Sequence, residues 1–225
     1  MAIIAIDRKV IVFQTMGFNL DARNRSGGVT LGNREQIVFG GNTLWRMHAT
    51  ARIRTPAAVR EWRRILWQME GRLNALLIGP CDCKVGGTLP PFVVTGIPHD
   101  DLTPFNDNTG YSQGGLAPQV AVAASAGATT VQIYPLSAQN ILPGTYIGFG
   151  DRLYGIVAVQ KTGLTVTLTI KPKLREDITL ETVVRLCDAR TPMRFTEDTA
   201  GSLELSLGRF GDIDIEMIEV VNGDL

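Results

Sequence analysis

LWRMHATARIRTPAAVREWRRILWQMEGRLNALLIGP, residues 44–80, decides the fold class of this chain. From 44 to 54 the residues alternate, with Trp45, Met47, Ala49, Ala51 and Ile53 on one face and Arg46, His48, Thr50, Arg52 and Arg54 on the other. Period two is the signature of a strand buried on one side only. At ~3.3 Å per residue such a strand is roughly 36 Å long, well beyond the common length. A basic outer face of that extent has to be paired, covered or occupied by a partner chain. The expectation is therefore a structural part of an assembly.

The same stretch then predicts a helix over 56–70. Thr55 offers its hydroxyl to the first-turn amides, Pro56 suits the first helical position, and Gly71 is the expected left-handed stop. Val59, Trp62, Leu66, Met69 and Leu73 recur at helical spacing as the buried stripe, while Arg60, Glu61, Arg63, Arg64 and Gln68 face away. Trp67 lies off that stripe and is the expected interface aromatic. The apolar run 75–78 follows, ending in Gly79-Pro80.

Outward from this segment, short apolar runs recur at 10–13, 36–39, 92–94, 130–134, 146–149, 153–159, 164–170, 182–186, 203–207 and 213–221. Punctuated by 24 Gly and 11 Pro, they make a mainly β chain. Between 98 and 118, polar residues and glycines cluster without periodicity, as in a linker or exposed loop. An Ala-rich stretch at 121–127 precedes a compact β pattern, in which Leu164, Val166, Leu168 and Ile170 alternate with Thr165, Thr167 and Thr169. The last strands, expected at 202–207 and 212–220, carry Glu204, Asp212, Asp214, Glu216 and Glu219. These acids complement the arginines of the long strand if the two ends of the chain share a sheet. The predicted organisation is one body from residues 1–112 and 190–225, interrupted by an inserted domain at 113–189.

Composition narrows the function. The chain of 225 residues is 44% hydrophobic and 20% charged, as ordinary folded proteins are. Lys plus Arg and Asp plus Glu number 22 each, so no global field draws in nucleic acid or an anionic membrane. No specific nucleic-acid binding and no membrane insertion are expected. Three cysteines are too few for a disulfide scaffold, and the N-terminus lacks the basic n-region of a signal peptide. Synthesis in the cytoplasm is expected, with any export achieved as part of an assembly.

Candidate chemistry is sparse. Cys81-Asp82-Cys83 has half the ligands of a zinc site, with only Cys187, His48 and His99 to complete it and no finger spacing among them. His99-Asp100-Asp101 supplies a base and two carboxylates without a convergent partner, and Asp107-Asn108-Thr109-Gly110 lacks the closing Glu of a calcium loop. Gly144, Gly148 and Gly150 precede no helix that would make a phosphate cradle. No catalytic residue, metal or cofactor is expected. The expected working surface is an oligomer interface of Arg46, Arg52, Arg54, Arg63, Arg64, Trp67, Asp212, Asp214 and Glu216. Its two charge sets either pair within a subunit or meet head to tail around a ring.

A family resemblance rests on residues 142–157, Leu-Pro-Gly-Thr-Tyr-Ile-Gly-Phe-Gly-Asp-Arg-Leu-Tyr-Gly-Ile-Val, and on Thr-Val-Thr-Leu-Thr-Ile-Lys-Pro-Lys-Leu-Arg at 165–175. Gly127-Ala128-Thr129-Thr130-Val131 resembles the lead-in to the same module and Pro192-Met193-Arg194-Phe195 its exit. With the strand, helix and Leu-Ile-Gly-Pro arrangement before it, the chain is similar to distal tail proteins of long-tailed, siphovirus-like bacteriophages and of gene transfer agents. The resemblance implies a β-sandwich ring domain carrying one helix, plus a small β-barrel-like domain at the periphery. It also implies a hexameric ring between a tail tube protein and the hub or baseplate protein, near the tape measure protein. The rival expectation is a carbohydrate-binding tail module, with Tyr111, Tyr134, Tyr146 and Tyr154 stacking on sugars of a host surface.

Overall fold

The computed structural model describes residues 1–8, 10–29, 31–80, 93–97, 111–114, 118–134, 141–163, 165–186, 188–203 and 211–221, with the side chains of 93–97 and 111–114 excepted. The fold is mainly β, with one helix among the described residues. In chain order the elements are β1 (Ile3–Ala5), β2 (Val12–Asp21), β3 (Arg25–Val29), β4 (Glu35–Val38), β5 (Leu44–Ile53), α1 (Pro56–Met69) and β6 (Ala75–Ile78). They continue with β7 (Val93–Ile97), β8 (Tyr111–Gly114), β9 (Gln119–Val122), β10 (Thr130–Tyr134), β11 (Tyr146–Phe149), β12 (Arg152–Thr162), β13 (Thr165–Lys171) and β14 (Val184–Arg185). The last are β15 (Thr191–Phe195) and β16 (Gly211–Glu219).

Two compact units result, one of Met1–Pro80 with Arg190–Leu225 and one of Cys81–Ala189. The first boundary falls at Pro80 rather than near 112. The physical reason is that β7 and β8 pair with each other as a separate two-stranded sheet and add no strand to the first unit's six-stranded sheet. A strand at Tyr111–Gly114 also occupies part of the stretch expected to be a linker. The Leu164 position and the expected strand 202–207, beyond Leu203, lie outside the described residues.

In the first unit the six-stranded sheet has the order β1-β6-β15-β16-β5-β2. The two C-terminal strands thus lie between strands from the beginning of the chain. β5 and β16 run antiparallel in register from Gly211 opposite Ile53 to Ile218 opposite Arg46. That register stacks Met47 on Met217, Ala49 on Ile215 and Ala51 on Ile213, all buried. Hydrophobic cross-strand pairs of this kind are the stabilising unit of a sheet.

Helix α1 packs in the same unit, with Trp62 and Leu66 beside Gly201 near Phe195 of β15. Thr55 accepts from the Ala58 amide at 3.1 Å as the N-cap. The helix stops at Glu70, whose φ of 48° makes it the first left-handed residue, with Gly71 following at 69°. The buried stripe is Ala58, Val59, Trp62, Ile65 and Met69. Ile65 rather than Leu66 thus lies at its centre, and Leu73 is exposed because the chain has already left the helix. Trp62 is fully buried, and its indole N–H donates to the Gly201 carbonyl at 2.9 Å, tying the helix to the C-terminal part of the chain.

The second unit contains a six-stranded antiparallel sheet, β14-β11-β12-β13-β10-β9. A bridge between Gln119 at one edge and Val183 beside the other nearly closes it into a barrel. Inward side chains fill a small barrel. Here they are Val131, Ile133, Ile147, Tyr154, Leu168 and Ile170 among others. Tyr154 is 1% exposed, packs against Phe149 and accepts from the Arg175 amide through its hydroxyl at 3.0 Å. Buried among core residues, it cannot stack on a sugar. Of the remaining expected tyrosines, Tyr134 is exposed, Tyr146 is half-buried and the Tyr111 side chain lies outside the described residues.

Candidate interaction surfaces

The outer face of β2, β5 and β16 is built by the same alternation that builds the core. Since Trp45, Met47 and their partners point inward, Arg46, His48, Thr50 and Arg52 must point out. Across them stand Asp212, Asp214 and Glu216 of β16. Arg46 Nη1 donates to Glu216 Oε1 at 2.7 Å and its Nη2 to Asp21 Oδ2 at 3.3 Å. His48 Nε2 lies 3.8 Å from the same Glu216 oxygen. Thr15 donates to Thr50 at 3.0 Å, and Thr50 donates to Asp214 Oδ1 at 2.7 Å, a relay across three strands. Arg54 Nη2 reaches both Asp212 oxygens at 3.2 Å. A shallow depression of about 350 Å³ opens among Thr15, His48, Thr50, Asp214 and Glu216.

This ladder answers the question the charges pose. Arg46 and Arg54 find their acidic partners on β2 and β16 of their own chain, so this pairing needs no neighbouring copy. The pairs are half-exposed, and each contributes about 1 kcal/mol or less. Arg52 is exposed on β5 opposite Asp212 in register. On the helix, Arg63 is exposed, whereas Arg64 is held by Glu61 at 2.8 Å, by Gln68 and by the Ala5 carbonyl. Hydrogen bonding by Arg64 lowers the Glu61 carboxyl below its ordinary value against the opposing effect of burial. Trp67 is 75% exposed on the side of α1 away from the core stripe.

Glu219 departs from the expected acidic surface. It follows Ile213, Ile215 and Met217 on the inward parity of β16, is 2% exposed, and accepts from the Trp45 amide at 3.1 Å. It belongs to the core end of the β5–β16 pair. Another acid-to-arginine contact joins Asp198 to Arg72, whose guanidinium and backbone amide both donate to Oδ1. These bonds hold the Asp198 carboxyl below its ordinary value.

Sequence reading missed one surface. β3 and β4 pair as a two-stranded ribbon in which every residue of both strands is exposed. Val29, Leu31, Ile37, Val38 and Phe39 are 52% to 112% exposed there. The available signal was the spacing of glycines and Asn33 around the 36–39 run, which marks a hairpin. Among the described residues no group of three or more His, Cys, Asp or Glu side chains is placed to hold a metal. Cys81, Cys83, Cys187, His99, Asp100, Asp101 and Asp107 lie outside the described residues. No described helix is long and apolar enough to cross a membrane. Neither a family model nor a curated protein matches the chain.

Proposed function

We propose that this chain is a structural, ring-forming component of a phage-like particle, a distal tail protein that joins a tail tube to a hub or baseplate tip. On this reading it is made in the bacterial cytoplasm and assembles as a homohexamer. Its protein partners are the tail tube protein, the hub or baseplate protein and, near the lumen, the tape measure protein. The observation that carries the reading is the exposed two-stranded arm beside a sheet whose outer face is a neutralised polar ladder. Such surfaces suit repeated protein contacts. The resemblance of 142–175 to tail-protein sequences supports the same reading, as does a barrel-like unit inserted into a sheet-and-helix unit.

Negative-stain images of the purified full chain test it directly. Class averages with sixfold rings, and labels on the inserted unit appearing at the tail tip of particles, are expected. Particles that carry the label elsewhere, or rings of a different symmetry, overturn it.

A further inference from the structure

Between β2 and β5 the chain leaves the six-stranded sheet as a two-stranded ribbon. Asp21 pairs with Leu44 at the end of the sheet, and beyond a short junction Arg25 pairs with Val38, so the ribbon prolongs those two strands. Its junction is specified by backbone contact. A Cβ on Gly40 would lie 2.2 Å from the Arg23 carbonyl oxygen, and Gly41 takes φ 74°. Only glycine allows that approach, which sets where the arm leaves the sheet.

A bulge between Ser26 and Val29, with Gly28 at φ 96°, then fixes the arm's faces. Val29 stands opposite Glu35 and Ser26 opposite Ile37, which places Val29 and Ile37 on one face, and Phe39 continues their period. These three are 63%, 63% and 64% exposed.

Isolated two-stranded ribbons are marginal in water, and a contiguous apolar patch of a few hundred Å² often marks an interaction site. At ~100 Å² each, Val29, Ile37 and Phe39 present roughly 300 Å² on one face, and polar side chains and backbone edges supply the rest of the roughly 800 Å² each partner buries in a stable interface. Among the described strands β3 and β4 pair only with each other, so both long edges of the arm carry open backbone groups there. The six-stranded sheet ends on β2, whose outer edge is likewise open among the described strands and flanked by exposed Val12 and Leu20. An added strand satisfies both edges at once.

We propose that the β3–β4 arm docks on a second copy of this chain, pairing along the outer edge of that copy's β2. Each copy then gives an arm and receives one, a heterologous contact that repeats around a closed ring. This inference deepens the ring reading and rests on it only for the number of copies.

The test is sedimentation velocity on the full chain and on the double variant Ile37→Lys/Phe39→Lys, from low to high micromolar concentration, with melting followed by circular dichroism. The wild type is expected to self-associate. The variant should associate at least tenfold more weakly with an unchanged melting curve. As a second measurement that survives misfolding of the variant, a photo-crosslinker at position 37 is activated in a mixture of isotope-labelled and unlabelled chains. Cross-linked pairs carrying both isotopes support the proposal, and cross-links confined to single copies overturn it. Association that survives the double substitution overturns the arm and leaves the ring reading standing. Arm-dependent association into an open chain or a dimer supports the arm and sinks the ring. A wild type that is monomeric at every concentration overturns the proposal and assigns the arm to a different protein, while the ring reading is still judged on the images.

Discussion

Trp62→Phe tests whether the beginning and end of the chain share one core. The indole N–H donates to the buried Gly201 carbonyl at 2.9 Å across 139 residues of sequence. Removing the donor leaves that carbonyl buried without it, at about 1–3 kcal/mol. The smaller ring also leaves a void of roughly 40 Å³, which at ~24 cal/mol per Å³ adds about 1 kcal/mol. The total is about 2–4 kcal/mol, since Trp62 is fully buried and has no solvent-side compensation. Hydrogen exchange read by mass spectrometry is the assay, because it reports the two elements separately in a protein with two units. Protection of the slowest amides in both α1 and β16 should fall together, by about thirty- to several hundredfold at ~1.4 kcal/mol per decade. Gly201→Ala should act in the same direction, since its Cβ would lie 3.1 Å from Trp62 Cζ2 at a φ of 76°. A loss confined to α1, with β16 protection intact, would refute the shared core.

Four further outcomes follow from the same contacts. Thr55→Ala removes the cap on Ala58 and should cost about 1 kcal/mol of first-unit stability in urea denaturation. Tyr154→Phe removes the acceptor of the half-buried Arg175 amide and should lower the second unit's transition by about 1 kcal/mol, read by the same denaturation. Glu61 and Asp198 are held below their ordinary values of 4.5 and 3.8, so their contribution is complete above those values and is lost as pH falls through the lowered ones. Arg64→Gln and Arg72→Gln should therefore flatten the decline in melting temperature on acidification below about pH 4.5, and an unchanged acid limb in both would contradict the pairing. Finally, because the Arg46 and Arg54 pairs close within one chain, self-association through the apolar arm should persist at roughly 1 M salt, where exposed ion pairs are screened. Dissociation at that salt, measured by light scattering, would restore the arginines and acids to the interface.

Much of the fold is legible in 44–80 because local physics decides it. Alternation from Trp45 to Ile53 identifies an inward set that the structure buries residue for residue, and Thr55-Pro56 marks where the helix starts. β13 is equally legible, with Val166, Leu168 and Ile170 all buried. What failed locally was small: Glu70 takes the left-handed turn ahead of Gly71, and Ile65 displaces Leu66 from the centre of the stripe. Either stripe satisfies helical periodicity, and Leu66 stays half-buried at its margin, near Gly201.

Sequence alone therefore determined the strand faces, the helix and the surplus of arginines facing outward, since each depends on neighbours within a few residues. Tertiary structure decided what those faces meet. Register between β5 and β16 sets Arg46 diagonally from Glu216, within hydrogen-bonding reach, and sends Glu219, three residues further along, into the core. Backbone contact between Gly40 and Arg23 sets the 36–39 run in a projecting arm, although its residues read as an ordinary strand. Barrel closure buries Tyr154, whose polar hydroxyl finds an amide 21 residues away. In each case the deciding partner is distant in the chain, so its free energy appears only once the strands have found each other.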